Sequence, residues 1–204
     1  MVGKEAGMKK GERRKQDLLQ ISYKMFLARG YENTSVDGII EEAGIAKGTF
    51  YYHFKSKEQL LEEVVGMMIA DEEEKARQIL ESEIPIPQKI VGIIASFRPT
   101  QDEQTIGDAL NRPENVLMHD KTNHKIIETI VPLLSEVVEA GVKEGVFSCE
   151  HIPERVRIIL IVSNALFDDG NQFSENDIIV FIDLIEKLLG ARPGTMGFVM
   201  GLIR

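Results

Sequence analysis

Seven consecutive residues, Lys47-Gly48-Thr49-Phe50-Tyr51-Tyr52-His53, gather an unusual amount of polar chemistry. Lys47 offers an ammonium that can meet a phosphate or the acceptor edge of a base. Gly48 leaves room for the backbone to approach DNA closely. Thr49 brings a hydroxyl for a base and a methyl that can touch a thymine methyl. Tyr51, Tyr52 and His53 put polar tips on flat bodies, suited to phosphates and sugars. Three adjacent rings on one helix cannot all face inward, so at least one is exposed. Lys55 and Lys57 follow as phosphate partners. Upstream, Thr34 and Ser35 open another short helix, where a hydroxyl beside free N–H groups can hold a further phosphate. Each residue alone is an ordinary surface or packing residue; the set is that of a DNA reader.

Catalytic and metal chemistry find less support. No Ser/His/Asp or Cys/His arrangement stands out, so no enzyme and no cofactor is expected. Cys149-Glu150-His151 resembles half a metal site, but Cys149 is the only cysteine. His119 and His124, with Asp120 between them, lie five positions apart. No metal is expected from either group.

The elements that must position these residues are helices. Period-2 alternation and hairpin turn signals are absent, and helical periodicity recurs throughout. The spacing predicts helices over 9–29, 36–43, 47–53, 56–80 and 88–97. One or two short helices broken at Pro113 are expected in 101–120, then helices over 122–144, 153–168 and 174–189. Gly44 supplies the turn between the second and third, and Ile39, Ile40, Ala43, Ile45 and Phe50 can hold them crosswise. In such a helix-turn-helix the second helix enters a major groove. Pro132 predicts a kink, Gly170-Asn171 a break, and the tail 191–204 carries no reading.

Charge divides the chain in the same place. Residues 1–60 hold 11 Lys/Arg against 8 Asp/Glu, whereas residues 61–204 hold 13 against 25. The overall charge of −9 therefore conceals a mildly basic head on an acidic body. A 43% apolar content supports a sizeable core, and no apolar run approaches the length of a membrane span. The first eight residues lack the apolar core of a signal peptide, so a cytoplasmic protein is expected.

The last two predicted helices are apolar almost all round, which demands burial all round. One side would pack on the body and the other on a second subunit, through Ile158, Val162, Leu166, Ile178, Phe181 and Ile185. The alternative is a fully buried pair in a monomer.

Three stretches together carry a family resemblance: Gly30-Tyr31, Thr34-Ser35-Val36, and the run from Ala43 through Lys47-Gly48-Thr49-Phe50-Tyr51-Tyr52-His53-Phe54 to Leu61. They resemble the N-terminal signature of the TetR family of bacterial transcriptional regulators. Ile40 departs from it, standing where the family commonly has a small residue. The resemblance implies an all-α fold of about nine helices. A three-helix DNA-binding head, residues 1–56, would precede a larger helical domain for ligand binding and dimerisation, residues 57–204. It also implies a homodimer joined by a four-helix bundle, a double-stranded operator as partner, and a pocket for an unknown small-molecule effector. By type and region, Phe97, Met118, His119, His124 and Phe167 are the pocket candidates. The function implied is a repressor released by its effector. An activator of the same fold, or a dimeric interaction module without specific DNA binding, is the alternative.

Overall fold

The computed structural model describes residues 10–167 and 173–201. Among these, nine α-helices follow one another without a strand: α1 (Lys10–Arg29), α2 (Val36–Glu42), α3 (Lys47–His53), α4 (Lys57–Glu81), α5 (Ile86–Ser96), α6 (Gln104–Leu110), α7 (Val116–Lys143), α8 (Ile152–Phe167) and α9 (Glu175–Leu189). The all-α expectation is met. The break expected at Gly170-Asn171, and the ends expected at Lys9 and Asp168, lie outside the described residues.

Two boundaries differ from the sequence expectation for local reasons. α5 starts at Ile86, before Gln88, because Pro87 occupies its first turn, where a missing N–H costs nothing. α7 starts at Val116, before Thr122, directly after a 3-10 turn at Pro113–Asn115. Asn115 is buried there, its amide donating to the Ala109 carbonyl at 2.7 Å. Pro132 lies within α7 on an exposed position, and the helix continues past it.

The chain forms two compact units. The first takes residues up to Ala70 together with Pro99–Thr122; the second takes Asp71–Arg98 and the residues from Asn123 on. These units are not the segments 1–56 and 57–204. α4 contributes to the first as far as Ala70, and residues 99–122 return to it. Three side-chain links explain that return. Tyr23 donates its hydroxyl to the buried carboxylate of Glu103 at 2.8 Å. Thr105 donates to the Phe26 carbonyl at 3.2 Å, and Arg112 pairs with Glu32 at 3.0 Å. Glu103 also closes a capping box with Thr100, so a single carboxylate both starts the turn and ties it to α1.

The core of the second unit follows helical spacing. Ile86, Ile90 and Ile93 of α5, Ile130, Leu134 and Val137 of α7, and Ile178, Ile182, Ile185 and Leu189 of α9 are buried in one cluster. α8 adds Val156, Ile159 and Leu160. Gly141 is tightly enclosed in this packing: an added Cβ would collide with the Phe147 ring and Ile86, which would have to shift. The tail, unread from sequence, closes the core. Met196 is buried, and Glu186 on α9 accepts from the backbone N–H groups of Gly194 at 3.0 Å and Met196 at 2.7 Å.

A buried carboxylate bonded to two N–H groups is costly to weaken. Glu186→Gln leaves one acceptor oxygen for two donors and removes the charge. It is expected to destabilise the second unit by about 1–3 kcal/mol, read as a lower urea midpoint with unchanged slope.

Candidate nucleic-acid interface

α3 has only seven residues, too few to hold a helix alone, so the first unit must supply its stability. Phe50 and Phe54, one turn apart, are both fully buried, with ring centroids 5.7 Å apart. Leu18 and Phe26 of α1, Ile39 of α2, and Leu60 and Leu61 of α4 are equally inaccessible. Ile40, the departure from the family pattern, is half-buried beside them, and α2 still packs on α3. Between the two helices Gly44 adopts φ +60°, a left-handed conformation that glycine takes without strain.

With Phe50 and Phe54 turned inward, the rest of α3 faces out. Lys47 and Tyr51 are four apart, as are Gly48 and Tyr52, and all four are exposed. Tyr52 is 82% accessible and Tyr51 48%. An exposed Tyr-Tyr pair on a helix held by buried phenylalanines is poorly explained by packing. Thr49 and His53 stand at the edge of this face, half-buried; the His53 ring lies edge-on to Tyr52 at 5.0 Å. Lys55 is exposed just beyond.

Two expected contacts are corrected. Thr34 does not present its hydroxyl outward. It is buried and donates to the Gly30 carbonyl at 2.9 Å, so it braces the end of α1. Lys57 folds back over Tyr31, its ammonium 4.0 Å from the ring centroid and 3.4 Å from the Glu32 carbonyl. Burial lowers its pKa, as expected of an ammonium turned toward the unit. Ser35 is exposed but serves as the N-cap of α2, accepting from Gly38 N–H at 3.0 Å.

The structure adds one residue that sequence reasoning passed over. Asp37, the second residue of α2, accepts from the Lys47 ammonium at 3.1 Å, and both side chains are largely exposed. The hydrogen bond to Asp37, and its charge, raise the pKa of Lys47. The signal in the sequence was slight: an acid ten residues before a lysine, with a glycine turn between them.

The apolar faces of α8 and α9 also differ from expectation. Ile178 and Ile185 belong to the core of their own unit, and Val162, Leu166 and Phe181 are half-buried. Ile158 is exposed as expected. The other exposed large apolar side chains described on these two helices are Ile161, Ile179 and Val180. Of the pocket candidates, Met118 and His119 fall in the first unit and Phe97, His124 and Phe167 in the second, so neither unit gathers all five. Phe97 and Phe167 are half-buried against the second core; Phe167 lies edge-on to Phe181 at 5.3 Å. Among the described residues no cluster of three or more His, Cys, Asp or Glu could hold a metal, and no helix is long and apolar enough to cross a membrane.

Comparison with known proteins places this geometry. Residues 18–64 match the N-terminal model of the bacterial regulatory proteins of the tetR family. Residues 93–181 match the tetracyclin repressor-like C-terminal domain. The HTH-type transcriptional repressor KstR2 of Mycolicibacterium smegmatis is 28% identical over 138 residues, covering 66% of this chain and 67% of the relative. The HTH-type regulator YhgD of Bacillus subtilis is 25% identical over 152 residues, 72% of this chain and 78% of the relative. Among solved structures, RolR in complex with resorcinol aligns with a TM-score of 0.64 at 17% identity, covering 94% of each chain. A TetR-family regulator from Mesorhizobium loti aligns at 0.58 and 18% identity, covering 90% of this chain and 98% of that one. At these identities the structural likeness concerns the fold.

In the same unit Tyr31 is buried edge-on to Phe26 at 5.3 Å. Burial, followed by the nearby Glu58 and Glu32 carboxylates, pushes its pKa up to about 12. A phenol whose folded pKa exceeds its unfolded value supports folding below pH about 10 and ceases to as pH rises through about 12. Ultraviolet titration of the four tyrosines should show a late step near pH 12, absent in Tyr31→Phe.

Proposed function

Because this chain belongs to the TetR family of bacterial transcriptional regulators, and is a DNA-binding regulator and not an enzyme, we propose that it acts as a repressor. In this reading a homodimer binds a near-palindromic operator and a small molecule releases it. The observation that carries it is the exposed Lys47, Gly48, Tyr51, Tyr52 face of α3 above a buried Phe50 and Phe54. Two such helices reach successive major grooves when they stand about 34–36 Å apart. Lys47 and Thr49 face bases; Tyr51, Tyr52, His53, Lys55 and Ser35 bear on sugars and phosphates. Thr34 and Lys57 serve by bracing the unit.

Dimerisation is supported by the outer stripe of α8. Ile158, Ile161, Val162 and Ala165 recur at helical spacing, and Ile158 and Ile161 are about half exposed, at 48% and 51%. Ile179 and Val180 on α9 extend it. Apolar side chains in this pattern need a second surface to leave water.

The effector reading is supported by the family and by RolR, which was crystallised with resorcinol. An effector that binds the body more tightly in a DNA-incompetent state would draw the population away from DNA. A repressor acting on bacterial DNA would work in the cytoplasm.

Gel-shift titration on fragments of the neighbouring promoters, at stated salt, tests the repressor reading. One fragment should bind well above random duplex, and Lys47→Ala or Tyr51→Ala should abolish that preference while the dimer persists. Equal binding to all fragments overturns it. Ile161→Glu should shift sedimentation from dimer to monomer without loss of helicity; an unchanged dimer would move the interface elsewhere.

A further inference from the structure

An acid beside a DNA-reading face calls for a reason. Every duplex surface presents phosphates, and a carboxylate near them is repelled. Asp37 stands on α2 with its side chain 78% accessible, in contact with the first residue of the reading helix. Its pairing with Lys47 adds little to folding, since exposed ion pairs are screened by water and salt. The pair therefore matters for what it does to the lysine.

A lysine ammonium has three N–H donors. Free on its flexible stem, it is a point charge that any phosphate can capture. Paired with Asp37 at 3.1 Å, it keeps two donors for another acceptor pair and is biased toward α2. The O6 and N7 atoms of guanine offer such a pair in the major groove. To serve a phosphate on random duplex, Lys47 must leave Asp37, and the carboxylate then stands unpaired among anions. To serve a base edge it can keep its partner.

We propose that Asp37 is a specificity-determining positioning residue, which holds Lys47 as a base reader and suppresses its use as a general phosphate binder. The inference rests on the reading of α3 as the operator-contacting helix. Asp37 acts through Lys47 and lowers affinity for random DNA more than for the operator.

The test uses the full-length protein and two duplexes of equal length. One is recovered from a random-core pool by repeated selection on the wild-type protein; the other is drawn from the unselected pool. Fluorescence anisotropy is read over a salt series. Asp37→Asn should tighten binding to the unselected duplex about three- to fivefold, the range an exposed ion pair can account for. Binding to the selected duplex should change by less than about twofold on the same scale. The salt slope on unselected duplex should steepen by about 0.9, one added phosphate contact. In a Lys47→Met background the carboxylate is unpaired on both duplexes, so Asp37→Asn should tighten both alike and change the ratio of the two affinities by less than about twofold. With Lys47 present, equal tightening on both duplexes would reduce Asp37 to bulk charge and overturn the proposal, as would no change at all or the same selective gain for the unselected duplex in the Lys47→Met background. Failure of the selection to enrich any duplex overturns the operator reading itself, and this proposal with it.

Discussion

Phe50, on a helix of seven residues, and Phe54, which caps that helix one turn on, are buried to the last atom, and the outward chemistry of the helix depends on them. A helix so short has no stability of its own, because nucleation costs more than two turns of hydrogen bonds return. The two rings are as inaccessible as Leu18, Phe26, Ile39, Leu60 and Leu61 of the same unit, and their burial fixes the rotation of the helix. With residues 50 and 54 inside, residues 47, 48, 51 and 52 must face out. A rotation by one residue would bury a lysine or a tyrosine hydroxyl without a partner, which is far costlier than leaving it wet. The anchor and the reading face are thus two consequences of one spacing.

The same unit spends much of its polar chemistry on bracing. Thr34 closes the end of α1, Lys57 lies over Tyr31, and Glu103 joins Tyr23 while capping its own turn. The Glu103 contact, with those of Thr105 to Phe26 and Arg112 to Glu32, links residues 99–122 to the unit that carries α3. A segment between α5 and α7 is consequently part of the scaffold of the reading helix. The segment touches α1 at Tyr23 and Phe26, and Glu32 just beyond that helix.

In the second unit the comparable constraint is the inward row Ile178, Ile182, Ile185 and Leu189 of α9. Once that row faces the core, Ile179 and Val180 must face away from it, and the α8 stripe of Ile158 and Ile161 is exposed in the same manner. Glu186, beside the row, turns its carboxylate to the tail and brings Met196 down over the core. A stretch rich in glycine, with no periodicity, becomes ordered because its N–H groups find a buried acceptor.

The amino-acid sequence alone was enough for the helices, the helix-turn-helix and the residues of α3, since helical period, glycine at the turn and ring spacing are local properties. Lys47, Gly48, Thr49, Tyr51, Tyr52 and His53 all lie on or at the edge of the face that their order implies. Direction was less legible. Thr34 and Lys57 have the right chemistry for phosphate but meet closer partners in Gly30, Tyr31 and Glu32, and only the folded chain brings those within reach. Helices apolar on every side conceal which stripe faces in: Ile178 and Ile185 turned out to be buried, and Ile161, Ile179 and Val180 exposed. Asp37 and Glu186 were invisible because their meaning lies in a partner ten residues away, across a turn in one case and in an aperiodic tail in the other. Type and period are written along the chain; which side chain finds which partner was decided by the packing of the helices.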